Sequence, residues 1–164
     1  MVSVRARLYW TNDGQRGSGS SMGRSLVNGT QVNRQLTRAR GPVGLAISGN
    51  YLYRSDPGVD NGSPGTTIGR ARLDGTDVNA NVNEGRNCPH RLVIKGGYIY
   101  WSSRRGNTIG RAPLNGADVK QNFITGALSP AGVVVGCGRG VRPWGGDPLI
   151  AVDLGAGVPT SRRT

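Results

Sequence analysis

Three kinds of short segment recur along this chain, each marked by its pattern of apolar and polar positions. The runs "GLAI" (44–47), "RLVI" (91–94) and "GVVV" (132–135) are brief, apolar and largely branched, and each follows closely on a proline. Such runs predict short buried strands. A polar or glycine turn (Ser48–Gly49–Asn50, Lys95–Gly96–Gly97) then leads to an aromatic segment, "RLYWTN", "YLYRSD" or "YIYWSS". Its alternation predicts a strand that sets Tyr98 and Tyr100 on one face and Ile99 and Trp101 on the other. After a loop of variable length comes a third segment, "SMGRSLVNG", "TIGRARLDG" or "TIGRAPLNG". It ends in Asn28–Gly29, Asp74–Gly75 or Asn115–Gly116, dipeptides that predict a type I′ hairpin with both central residues at positive φ. A last strand such as "KQNFITG" (120–126) closes the unit.

The three markers keep one order, and successive copies lie 41 to 47 residues apart. Four antiparallel strands in about 42 residues describe a blade of a β-propeller. The expected fold is therefore all-β, an incomplete β-propeller of about three four-stranded antiparallel blades. The repeats span residues 2–135. The remaining stretch, 136–164, is a divergent Gly/Arg-rich tail without repeat markers, although "PLIAVDLG" (148–155) reads as one strand able to cap the last blade.

With "LYWTN", "IYWSS", "IGRARLDG" and "SPAGVVV" together, residues 2–135 resemble the YWTD repeats, the class B repeats of the low-density lipoprotein receptor, which also occur in bacterial proteins. The resemblance implies six blades in a ring, so that this chain holds about three of six, together with a face that binds proteins or ligands and an extracellular setting. Two departures stand out. The family aspartate falls on Asn12, Asp56 and Ser103, and the tryptophan is replaced by Arg54 in the middle copy. Three blades alone leave open sheet edges, which two copies of the chain joined as a homodimer would complete.

Composition narrows the picture only a little. Glycine is abundant at 28 residues, and the net charge is +12. The arginines are scattered, so the charge predicts no specific nucleic-acid site. No apolar run reaches the roughly 18 residues of a membrane span, and "MVSVRARLYW" has no signal-peptide core. Cys88 and Cys137 lack metal-ligand spacing.

Few residues carry candidate chemistry. His90, the single histidine, sits where neighbouring repeats have Val43 and Ala131, at the entry to a blade's first strand. Arg24, Arg70 and Arg111 share one repeat position and are expected to pair with aspartates of the next blade or to form a repeated basic spot. Those four are the ligand-binding candidates. Trp10 and Trp101 are expected to fill the wedge between blades. The pattern indicates no catalytic residue, no metal site and no cofactor. Asp74 and Asp77 do not form a calcium loop, and "GCGRG" (136–140) is not a phosphate loop. The expected function is a non-catalytic binding or scaffold module, taking a protein or small ligand, or a fragment of one. The alternative is part of a propeller enzyme resembling streptogramin lyases or lactonases, with a metal in the central channel.

Overall fold

A computed structural model describes residues 6–12, 20–59, 63–84 and 88–136. The tail from 137 on, including the "PLIAVDLG" segment, lies outside them. Eleven strands run in chain order: β1 (Arg7–Asn12), β2 (Ser21–Leu26), β3 (Asn33–Arg38), β4 (Leu45–Ser48), β5 (Tyr51–Val59), β6 (Ser63–Arg72), β7 (Asn79–Glu84), β8 (Pro89–Lys95), β9 (Tyr98–Ser103), β10 (Thr108–Pro113) and β11 (Lys120–Thr125). The described residues hold no helix long and apolar enough to cross a membrane.

The strands form three antiparallel sheets, each a simple meander: β1–β3, β4–β7 and β8–β11. The molecule is therefore all-β, and its sheets are the blades of a β-propeller. Blade 1 has three strands and blades 2 and 3 have four. The strand that blade 1 lacks among the described residues is the inner one, equivalent to β4 and β8. Residues 131–136 carry the third copy of that inner-strand sequence yet belong to no strand.

Strand alternation gives each blade two faces. On the rear face of blade 3, Leu92, Ile99, Trp101 and Ala112 pack in one cluster with Tyr53, Ile68 and Val82 from the front face of blade 2. The same arrangement joins the first two blades, where Met22 meets Leu52 and Ala71, with Tyr9, Leu45 and Leu73 around them. Burial of these apolar side chains between sheets is the main force holding blade to blade.

Within a blade, the aromatic strand and the glycine strand fit by shape. Trp10 stands opposite Gly23 and Trp101 opposite Gly110. Each indole lies where a Cβ on that glycine would be, so only glycine lets the ring lie flat on the neighbouring strand. A register shift falls at the same place in all three blades, between Met22 and Arg24, Ile68 and Arg70, and Ile109 and Arg111.

The hairpins differ from the expected type I′. Positive φ occurs at Gly29, Gly75 and Gly116 but not at the Asn or Asp before them. The N–H of each glycine instead donates to the carbonyl three residues back, Leu26, Arg72 or Pro113, at 2.8–2.9 Å. This is the three-residue loop, a type I turn closed by a left-handed glycine.

Candidate functional site

His90 lies near the start of β8, in an irregular stretch between the Pro89–Ser103 and Leu92–Trp101 pairings. Its backbone is engaged between blades. The Ser55 hydroxyl on β5 donates to the His90 carbonyl and accepts from the Gly44 N–H at 2.9 Å. Ser102 fills the equivalent place in blade 3, accepting from the Arg91 N–H at 3.2 Å. These serines tie an inner strand to its neighbour where the ladder is interrupted.

The imidazole itself is half-buried, and its Nδ1 is a buried nitrogen without a hydrogen-bond partner. Desolvation, then the positive charges of Arg91 and Arg104, push its pKa below the ordinary 6.5, with a backbone hydrogen bond to Ala131 acting the other way. His90 is thus neutral at pH 7, with a free ring nitrogen. Among the described residues no three His, Cys, Asp or Glu side chains come together to hold a metal ion. Cys88 nearby is a buried free thiol.

The three recurring arginines lie elsewhere, on the front faces. Arg24 stands opposite Tyr9, Arg70 opposite Tyr53 and Arg111 opposite Tyr100. The expected aspartate partners are not what they meet, because among the described residues the ion pairs involve Arg54, Arg72 and Lys120 instead. Arg24 does reach the next blade, where its Nη1 donates to the Leu73 carbonyl at 2.7 Å. The Tyr9 hydroxyl donates to the same oxygen at 3.2 Å. Arg70 stacks 4.7 Å from the Tyr51 ring centroid. Arg111 lies 4.7 Å from that of Tyr98 and 4.2 Å from that of Phe123. Such cation–π contacts place the guanidinium charge over a ring rather than beside a carboxylate, and among the described residues Arg70 Nε has no hydrogen-bond partner. The four candidate residues therefore form no single site. His90 sits at the Ser103 end of blade 3, and the arginines are spread over three blades.

One polar pair escaped the sequence reading. Arg54 Nε is 3.1 Å from Asp56, and the two residues are 3% and 5% exposed. Burial lifts the Asp56 pKa to about 6, against the opposing pull of Arg54 and Arg40. The signal was available, since residues two apart on a strand share a face and these two carry opposite charges. Trp10 and Asn12 form the uncharged version of the pair, the indole N–H donating to the amide oxygen at 3.0 Å.

No model of a known protein family matches the chain, and no curated protein matches it at a significant level. Solved structures do. The chain is similar to the structure of a nidogen/laminin complex, with 22% identity, a TM-score of 0.61 and coverage of 79% of this chain and 48% of that one. It is similar to a gluconolactonase from Xanthomonas campestris, with 18% identity, a TM-score of 0.58 and coverage of 76% and 45%. It is also similar to a catalytically inactive virginiamycin B lyase from Staphylococcus aureus with quinupristin, with 22% identity, a TM-score of 0.55 and coverage of 78% and 41%. At these identities the likeness is one of fold. This chain spans less than half the length of each of these solved chains.

Proposed function

We propose that this chain is a run of YWTD-type propeller blades that acts as a binding or scaffold module for a protein or small ligand. The observation that carries the reading is the use to which the recurring polar residues are put. Arg24 and Tyr9 grip the backbone of the next blade, Ser55 holds the His90 carbonyl, and Arg54 is paired with Asp56. These groups maintain blade geometry, so recognition falls to the exposed loops and outer strands. The likeness to a nidogen/laminin complex supports a role in protein binding, although fold alone does not assign function.

The enzyme alternative draws on the likeness to the lactonase and the lyase and on the neutral imidazole of His90. The purified chain, given an aldonolactone or quinupristin with Mg2+, Ca2+ or Mn2+, is expected to show no turnover above buffer. Turnover that disappears in a His90→Ala variant would sink the binding reading and establish the enzyme.

A further inference from the structure

The repeat makes each blade a control for the others, and blade 1 fails to match at one set of positions. Leu8 is 52% exposed, whereas its equivalents Leu52 and Ile99 are 0% exposed. Val27 is 58% exposed, whereas Leu73 and Leu114 at the same repeat position are half-buried. A Cβ on Gly75 would strike the Leu36 carbonyl of the preceding blade at 2.6 Å, and one on Gly116 would strike that of Val82. One on Gly29 would meet nothing within 4 Å. Leu8, Val27 and Gly29 all belong to the rear face of blade 1. That face keeps the apolar and small residues of a blade contact, and nothing among the described residues covers it.

The inner edge of blade 1 tells the same story. Among the described residues β1 pairs with β2 alone, and Ile47 on the adjoining β4 is 50% exposed, whereas its equivalent Ile94 packs against the core. At the far end of the arc, the front face of blade 3 carries Tyr98, Arg111 and Phe123 in contact with one another around Tyr100, while Tyr100 and Ile109 on that face are already buried within the chain. Beyond it runs the unpaired segment 131–136, with Val134 52% exposed. The chain leading into this segment is fastened to blade 3, because the Ala127 and Ser129 N–H groups donate to Asn107 at 3.0 and 2.9 Å. Blade 2 stands between this segment and β1.

We propose that the chain closes head to tail with a second copy of itself. Residues 131–136 of each copy pair along β1 of the other as the missing inner strand, and the rear face of blade 1 seats on the front face of the other copy's blade 3. The repeat specifies the register. Leu45, Ala46 and Ile47 stand opposite Arg54, Tyr53 and Leu52, and Leu92, Val93 and Ile94 opposite Trp101, Tyr100 and Ile99. Val133, Val134 and Val135 accordingly stand opposite Trp10, Tyr9 and Leu8 across the junction. Arg24 donates to the Leu73 carbonyl within one chain, and Arg111 of one copy donates to the Val27 carbonyl of the other in the same way. The blades aligned with the similar solved chains cover 41% to 48% of those chains, and the two identical junctions between two copies are related by a two-fold axis. The inference rests on the fold and is independent of what the module binds.

Light scattering on a size-exclusion column tests it on the full chain. The expected particle has twice the 17.2 kDa chain mass. Leu8→Glu, which places a charge at the junction, and Val134→Pro, which removes a ladder donor, are each expected to give the single-chain mass with the β-rich circular dichroism spectrum retained. A cysteine trap shows which strands meet. A Tyr9→Cys chain mixed with a Val134→Cys chain, both carrying Cys137→Ser, is expected to form a disulfide-linked pair on mild oxidation, and neither chain alone does so. A wild-type chain that elutes at the single-chain mass, or as an open series of larger species, overturns the proposal. So does a disulfide that forms within one chain when both cysteines are placed on it.

Discussion

Trp10, Arg54 and Trp101 occupy one position of the repeat, and each lies over a glycine of the adjacent strand. A Cβ on Gly69 would come within 2.9 Å of the Arg54 guanidinium carbon, so the planar guanidinium fills the slot used elsewhere by an indole. The partner two residues on changes with it, from Asn12 beside Trp10 to Asp56 beside Arg54. A buried ion pair contributes little net stability, while breaking it leaves an unpaired buried charge. Asp56→Asn keeps this position neutral at every pH, so its melting temperature is expected to lack the decline that Asp56 gives the parent as pH rises from about 3.8 through 6. Arg54→Trp combined with Asp56→Asn, which copies blade 1, is expected to lie within about 1 kcal/mol of the parent in urea unfolding. The folded Asp56 pKa of about 6 stands above its ordinary 3.8, so folding favours the protonated form. Its contribution is full below about pH 3.8 and lost as pH rises through about 6. The melting temperature of the parent should carry that decline between those values, and the double variant should lack it. The sequence displayed the substitution at Arg54 plainly. It did not display burial, which turns the departure at Arg54 and the aspartate two residues on into one ion pair.

The hairpins repeat a device as regular as the strands. Asn28 Oδ1 accepts from the Thr30 N–H at 3.2 Å, Asp74 Oδ1 from the Thr76 N–H at 2.9 Å and Asn115 Oδ1 from the Ala117 N–H at 3.0 Å. The side chain thus mimics a backbone turn ahead of the left-handed glycine. Asp74 also accepts from the Thr76 hydroxyl at 2.6 Å. The hydrogen bonds from Thr76 hold its pKa below the ordinary 3.8. A depressed carboxylate contributes stability above its unfolded pKa and loses it as pH falls through the folded one, the reverse of Asp56. Asp74→Asn keeps the acceptor, so its melting temperature is expected to match the parent at pH 7 and to decline less than the parent in acid below about pH 3.8. Asn-Gly and Asp-Gly made the turns legible in sequence, and apolar alternation made the strands legible. Loop type was misread because an Asn or Asp side chain can cap a type I turn as readily as enter a type I′ turn. The register shift beside the Arg24, Arg70 and Arg111 position was not legible, since no residue type marks it.

In a repeat protein, stability is close to a sum over blades and the junctions between neighbours. Blade 2 has a packed neighbour on each side, through Leu52 and Ala71 toward blade 1 and through Tyr53, Ile68 and Val82 toward blade 3. Among the described residues blades 1 and 3 each have one, and β1 also has an unpaired edge. For a single copy, as expected of the Leu8→Glu variant, amide exchange should follow that order, slowest in β5 and β6 and fastest in β1. Closure with a second copy gives every blade two neighbours and supplies β1 with a ladder partner. The amides of Leu8–Thr11 should then slow toward those of β5 in the wild-type protein at high concentration. They should quicken again on dilution, because association stabilises by mass action. The melting temperature should rise with concentration in the wild type and stay constant in Leu8→Glu. If β1 exchanges rapidly at every concentration, the three blades stand as an open arc whose ends fray independently of one another.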